Sequence, residues 1–363
     1  MEDARLTTSI DAAGNLFGLR AGMRELPPLV LGSHSDTVAN GGWLDGALGV
    51  LGALEVVRSL AEDGVALERP LLVADYLAEE ANDFGVSCVG SRALTHGLDA
   101  AWLARRLGDT TLADAIAACG GDPSLLADGP LWAAGRVHAC LELHIEQGPV
   151  LEADGIALGA VSGIVGIRRS AAKLTGRPDH AGTAPMGRRH DALAAAAESI
   201  LMLERLAGDM PGTVGTVGHL LVSPNQGNVV PGVVRLTAEM RSLDSAEIER
   251  LWHDWRAATV LGCQRRGVDF IIETTTDAAP ATPPPWLLEE ILAACRSIDR
   301  RAAVLPSGAG HDSGHLALVA PAGMIFVPSI GGRSHCPEED TAPEHLAAGV
   351  EALHAAAQRL ARA

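Results

Sequence analysis

Apolar positions in the first half of the chain come in short continuous runs that end abruptly in polar residues. Leu29-Val30-Leu31 runs into Gly32-Ser33-His34, PLLVADYLAEE starts at Pro70, and ACLELHIEQG starts at Ala139. Such runs are the signature of strands buried on both faces of a parallel sheet. Between the first two lies LDGALGVLGALEVVRSLAEDG, from Leu44 to Gly64, with its apolar residues at helical spacing. Strand, helix, strand in that order predicts right-handed crossovers and a mainly parallel α/β sheet. Each predicted strand ends in histidines or carboxylates, at the edge where open α/β sheets bind ligands.

From Ile167 the pattern changes. IRRSAAKLTG alternates like a half-exposed strand, HDALAAAAESILMLERLAG has helical spacing, and TVGTVGHLLV and VVRLTAEMRS alternate again. SAEIERLWHDWRAATVLGCQRRG predicts a second helix with Ser245 at the cap position, and VDFIIETTT predicts a last strand. The order βαββαβ is the ferredoxin-like unit and is long enough to stand alone. APATPPPW, Ala279 to Trp286, closes it as a semi-rigid hinge. The α/β pattern then returns with a helix near Leu287 to Cys295, a strand at GMIFVP and a closing helix from Pro343. The expected organisation is therefore a large domain over 1–165 and 281–363, interrupted by an inserted domain over 166–280.

Composition narrows the partners. A formal charge of -17 repels phosphate backbones and anionic membrane surfaces, so nucleic acid and membrane are poor partners. The 6 cysteines lie far apart without a Cys-x-x-Cys pair, which reads as reduced thiols in a cytosol. The stretch MEDARLTTS has neither the basic start nor the apolar core of a secretory signal, and no apolar run is long enough for a membrane span.

The polar residues at the predicted strand ends of the large domain are His34, Asp36, Asp45, Glu79, Glu80, His144, Glu146, His335 and Glu338. Three imidazoles and several carboxylates at one sheet edge suit two divalent metal ions such as Zn, Mn, Co or Ni. One catalytic zinc uses about three protein ligands, and a pair sharing a carboxylate needs about five. His34, Asp45, Glu80, His144 and His335 supply that set. Adjacent Glu79 and Glu80 would point to opposite faces of a strand, so a turn is needed to bring both to the site. Taken singly, an adjacent acid pair is an ordinary solvated charge, and a histidine in an apolar strand is ordinarily a packed one.

The motifs GSHSDTV, NGGWLDGALGVLGALEV, AEE followed by GSRAL, LELHIEQGPVLE, HAGTAPM, the Asn of NVVPG, MRSLD, SGAGHDSGH and GRSHCPEED together resemble the hydantoinase/carbamoylase family of dinuclear-metal amidases. The resemblance implies a metallohydrolase domain with an inserted lid and dimerisation domain, and it implies roles. Asp45 would bridge the two ions, His34 and His144 completing one position and Glu80 and His335 the other. Glu79 would be the general base, and Asp36 would orient His34. His180, Asn228, Arg241 and Gln147 match positions that hold the substrate, a small carbamoyl or ureido compound bearing a carboxylate, and His180 would reach into the partner's site in a homodimer. Without the resemblance, His180 after Arg177-Pro178-Asp179 reads as a turn residue and Arg241 as a solvated charge. Two departures stand out. The chain has Ala81-Asn82-Asp83-Phe84 where the family usually has Gly-Ser-Arg-Phe, and it begins close to DAAGNLFG, without the family's amino-terminal helical segment. A dinuclear exopeptidase and a non-catalytic binding protein are the competing readings; His144 opposes the first and Glu79 with its five neighbours the second.

Overall fold

The computed structural model of the protein describes residues 1–362. The chain forms two compact units, one made of Met1–Ile164 and the chain from Thr282 onward, the other of Val165–Ala281. In chain order the first unit contributes β1 (Thr7–Ile10), β2 (Leu16–Arg20), β3 (Leu29–His34), α1 (Ala47–Glu62), β4 (Leu71–Tyr76), α2 (Val89–Thr95), β5 (Ala139–Ile145) and β6 (Gly159–Ile164). The second unit follows with β7 (Gly166–Thr175), α3 (Ala192–Gly208), β8 (Thr213–Ser223), β9 (Val233–Ser242), α4 (Ser245–Arg266) and β10 (Asp269–Ala278). The first unit resumes with α5 (Pro285–Ile298), β11 (Ala303–Ser307), α6 (Asp312–Leu316), β12 (Ala322–Val327) and α7 (Pro343–Leu360).

The first unit is built on one 8-stranded sheet in the order β1-β2-β4-β3-β5-β12-β6-β11. Its centre, β4-β3-β5-β12, is parallel throughout. The antiparallel joins are β1 to β2, β2 to β4 and β12 to β6. Because successive side chains alternate faces, the apolar runs feed two cores at once. Leu29, Leu31, Leu141, Leu143 and Ile145 pack against α1, α5 and α7 through Val56, Leu60, Ile291 and Leu353. Val30, Ala74, Tyr76 and Cys140 face the other way, toward Leu94, Trp132 and Leu316. Strands β1, β2, β6 and β11 are additional to those that the apolar runs predict.

The second unit carries a 4-stranded antiparallel sheet in the order β8-β9-β7-β10, with α3 and α4 packed on it. Chain order and strand order together are those of the ferredoxin-like unit. Its core centres on Trp255, fully buried among Ala196, Leu203, Leu236 and Met240, with the indole Nε1 donating to the Ser199 carbonyl at 3.1 Å. The cap of α4 is Asp244 rather than Ser245: the Asp244 carboxylate accepts from the Ala246 amide at 2.8 Å, and Ser245 is the first helical residue. The proline run ends inside α5, with Pro284 as the cap and Pro285 opening the helix, where a missing amide costs nothing. All six cysteines are free. No helix among the described residues is long and apolar enough to cross a membrane.

Candidate metal centre

The carboxyl ends of β3, β4, β5 and β12 lie side by side, and each delivers part of one cluster. His34 is the last residue of β3 and His144 the penultimate residue of β5. Asp45 sits in the loop between β3 and α1, and His335 in the loop between β12 and α7. After β4, Ala78 takes the left-handed conformation at φ 51, which breaks strand alternation and lets Glu79 and Glu80 both turn into the site. Gln147 and His335, on neighbouring loops, have φ 57 and 56. Non-glycine residues in this region are uncommon and cluster at functional sites.

Asp45, 3% exposed, is the hub. Its Oδ1 lies 3.1 Å from His144 Nε2 and 3.6 Å from His34 Nε2, while its Oδ2 lies 3.2 Å from His335 Nε2. His335 Nε2 is also 3.1 Å from Glu80 Oε1, an oxygen that receives no hydrogen bond among the described residues. Three groups among the described residues could hold a cation: His34-Asp45-His144 and Asp45-Glu80-His335, which share Asp45, and Glu142-His144-His311, which shares His144 with the first. The donors are prepared for ligation. His34 Nδ1 faces the Asp36 carbonyl at 3.0 Å and His144 Nδ1 the Ile145 carbonyl at 2.8 Å. A carbonyl only accepts, so each Nδ1 carries a hydrogen and each Nε2, facing Asp45, is the nitrogen that would exchange its proton for a cation.

The electrostatics ask for positive charge. Burial opposes a charged His34, yet the Asp36 contact and the carboxylates of Glu79, Asp312 and Glu142 outweigh it and hold the imidazole up at about 11. For Asp45, too, burial favours the neutral form, and the contacts with His144 and His34 overcome it, keeping the carboxyl well below its usual range. Burial and the charge of Asp312 push Glu79 well above the usual carboxylate range; burial also raises Glu80, against the pull of His335. Buried carboxylates in this number need either protons on the imidazoles or cations between them, and the paired Nε2 and carboxylate donors fit borderline divalent ions.

The other expected residues fall as follows. Asp36 touches His34 mainly through its carbonyl; its carboxylate lies 3.5 Å from His34 Nδ1 and accepts the Glu79 and Glu80 amides, each at 3.1 Å. Glu79 Oε2 is 3.8 Å from His34 Nε2, and the Cys88 thiol donates to Glu79 Oε1 at 3.4 Å. Gln147 Nε2 donates to Asp45 Oδ2 at 2.6 Å, so its amide lies on the hub itself. Within the second unit, His180 and Asn228 are neighbours: His180 pairs with Val229, and the Ala181 amide donates to the Asn228 carbonyl at 2.9 Å. Arg241 is at the far end of β9, its Nε donating to Glu239 at 2.7 Å. Eight residues of extended chain separate Arg241 from Val233, the end nearest Asn228, which is roughly 26 Å. Glu146 and Glu338 are outside the cluster. Glu146 accepts the Val150 and Leu151 amides, both at 2.8 Å, and Glu338 pairs with Arg333 on the surface at 2.9 Å.

Several buried polar residues at the site are not among those expected. Glu142 accepts from Ser33 and Ser313, both at 2.7 Å. His311 sits edge-on to His144 with ring centres 4.6 Å apart, and Asp312 beside it is pushed up to about 7, first by burial. Glu339, 2% exposed, accepts from both the loop of Asp45 and the loop of His335. The alternation of LELHIE carries a signal for Glu142, two residues before His144 and so on its face. In the adjacent pair Glu338-Glu339, nothing in the sequence tells which one turns inward.

The profile of peptidase family M20/M25/M40 matches residues 30–359. An N-carbamoyl-L-amino-acid amidohydrolase of Paenarthrobacter aurescens is 38% identical over 97% of this chain and 86% of its own length. One of Geobacillus stearothermophilus is likewise 38% identical, over 100% of this chain and 89% of its own. The crystal structure of an amidase of the hydantoinase/carbamoylase family from Burkholderia multivorans superposes with a TM-score of 0.91 at 35% identity, covering 99% of this chain and 87% of that one. The chain therefore belongs to peptidase family M20/M25/M40 and, within it, to the hydantoinase/carbamoylase amidases.

Proposed function

We propose that the protein is a cytoplasmic, metal-dependent amidohydrolase that cleaves the carbamoyl C–N bond of an N-carbamoyl-L-amino acid, giving the amino acid, carbon dioxide and ammonia. The observation that carries this reading is the Asp45 carboxylate set between two imidazole-bearing donor groups, with the buried Glu79 beside them. His34, His144 and Asp45 would hold one divalent ion, and Asp45, Glu80 and His335 the other. When bound, the ions supply positive charge that polarises the substrate carbonyl and acidifies the attacking water.

The chain's own groups do the rest. As water oxygen bonds to the carbamoyl carbon, Glu79 accepts the proton, and the upward push of burial makes its carboxylate a better base. Glu79 then returns that proton to the amino-acid nitrogen as the C–N bond breaks, and the released carbamate decomposes to carbon dioxide and ammonia. Arg241 suits the substrate carboxylate because its guanidinium can bind both oxygens. Asn228 and Gln147 would add contacts, and His180 would donate to the oxyanion.

The spacing within the second unit favours a shared site. His180 pairs with Val229, just before β9 begins at Val233, while Arg241 lies roughly 26 Å of extended strand beyond that beginning. This placement at opposite ends of β9 favours separate chains as the source of the two contacts to one small substrate. In a homodimer formed through this unit, His180 of the partner subunit would meet the Arg241 of the first, as a two-fold interface repeats each contact in both directions. The test of the activity is ammonia release by the protein loaded with Zn, Mn, Co or Ni, on N-carbamoyl-L-amino acids, N-carbamoyl-β-alanine, allantoate and a dipeptide. Fastest turnover of a carbamoyl-L-amino acid supports the reading; preference for allantoate or the β-compound moves the enzyme to a neighbouring ureido substrate, and hydrolysis of the dipeptide alone would overturn it.

A further inference from the structure

One carboxylate outside the reaction ties together the two loops that converge at Asp45. Glu339 Oε1 accepts the Leu44 and Asp45 amides, each at 3.0 Å, and its Oε2 accepts the Ser334 hydroxyl at 2.7 Å and the His335 amide at 3.3 Å. Ser334 is also placed 2.9 Å from Asp45 Oδ2, which closes the connection. Asp45 and His335 are 290 positions apart by number, and Glu339 grips the backbone of both. The space it fills is reserved for it: a Cβ built on Gly42 would fall on the Glu339 side chain at less than 3.0 Å.

We propose that Glu339 is the positioning residue of the metal centre, fixing Asp45 and His335 against each other and thereby setting the affinity of both cation positions. The proposal rests on the reading of Asp45 and His335 as ligands. The two Asp45 oxygens face different donor groups, so a small rotation of the loop spoils one position or the other. His335 needs the support more than the other imidazoles, because its side chain is 50% exposed against 1% for His34 and His144, and its backbone is in the left-handed region. Packing does not hold it; its amide bond to Glu339 and the Ser334 bridge do. All four hydrogen bonds need an acceptor, which a carboxylate provides on both oxygens.

Glutamine keeps the shape and loses one acceptor. The lower-cost placement of Glu339→Gln keeps the carbonyl on the two amides of Leu44 and Asp45 and turns the NH2 toward Ser334, whose hydroxyl can rotate to accept, and toward the His335 amide, which cannot. The position built on Glu80 and His335 then weakens about 10- to 100-fold, the usual cost of losing such a supporting contact, while the position on His34 and His144 stays close to wild type. Gly42→Ala leaves Glu339 in the chain but pushes it off Leu44 and Asp45, so it weakens both positions. Neither change touches a ligand or Glu79.

The experiment is a titration of the full-length, chelator-stripped protein with cobalt(II), followed by visible absorption and by competition with a chromophoric chelator. Melting of each apo protein identifies the folded variants. Two binding steps in wild type, with the weaker-supported step lost selectively in Glu339→Gln and both steps weakened in Gly42→Ala, support the proposal. If the folded variants bind both ions as wild type does, or show only a lowered apo melting temperature, Glu339 is a structural residue and the proposal falls. Should Glu339→Gln not fold, Gly42→Ala alone decides. If wild type takes up no pair of ions, the ligand reading itself is wrong, and the proposal goes with it.

Discussion

A methyl group on Gly46 is a severe and specific perturbation. Gly46 stands between Asp45 and α1 with φ 67 and ψ -48, a conformation open to glycine and closed to other residues. A Cβ there would lie less than 3.0 Å from three atoms of the His34 ring, which is 1% exposed and has nowhere to retreat. Forcing alanine into such backbone costs about 1–3 kcal/mol, and crowding a packed interior costs about 1–3 kcal/mol more, so Gly46→Ala is expected to lose about 2–6 kcal/mol. Gly64 gives the control. It too has positive φ, 64, but a Cβ there meets nothing within 4 Å, so Gly64→Ala is a positive-φ substitution without crowding. Denaturant unfolding compares the two apo variants: Gly46→Ala should fall below Gly64→Ala by at least the crowding cost of about 1–3 kcal/mol. Relief by moving His34 takes its Nε2 away from Asp45, and the cation position on His34 and His144 should weaken by at least the ~10- to 100-fold of a lost supporting contact. Equal stability of the two variants, with wild-type cation affinity in Gly46→Ala, would refute the placement of His34 against this loop.

Glu79→Gln should retain both ions and lose about 10²- to 10⁴-fold in kcat, because an amide cannot take the proton; Glu80→Gln should instead lose affinity for one ion. The opposite pattern in kinetics and elemental analysis would exchange the two roles. Cation uptake at pH 7 should release protons, since His34, held up at about 11 without a cation, must give up its Nε2 proton to ligate. Apparent affinity therefore rises with pH, and calorimetry in two buffers of different ionisation enthalpy would contradict this if the heats agree. Mixed dimers of Glu79→Gln and His180→Ala chains should regain activity, because one of the two shared sites then carries neither defect; confirmed subunit exchange without recovery would rule out a His180 that crosses between chains.

The strands that carry the site were legible because they are the most buried ones. All six residues of β3 and all seven of β5 are buried, so the apolar run of β3 is unbroken up to its polar end and that of β5 is interrupted before His144 only by Glu142. Strand β1 has the exposed sequence TTSI, β6 is the weakly apolar GAVSGI, and β11 contains a proline at the sheet edge, so none gives a comparable signal. The donors Asp45, Glu80 and His335 sit in loops, where periodicity says nothing and only residue type and a resemblance could select them. Glu339 escaped because it bonds the amides and hydroxyl of neighbouring loops, and such a carboxylate looks like any other acid in sequence; Glu142 had a signal in its alternation with His144, but one acid within an apolar strand does not by itself tell a site residue from a buried, hydrogen-bonded one. Asp244 took the cap expected of Ser245 because adjacent residues of equal capping strength leave the choice to local geometry.

The central claim is that two divalent ions held on Asp45 make this chain an amidohydrolase. Its most direct test is to strip the protein with chelator, add back Mn or Zn in measured equivalents, and follow both bound metal and ammonia release from an N-carbamoyl-L-amino acid. The account predicts that activity is absent in the stripped protein and levels off at two ions per chain, with Asp45→Asn inactive and deficient in both ions. Full turnover without metal, a plateau at one ion, or an active Asp45→Asn variant would contradict it.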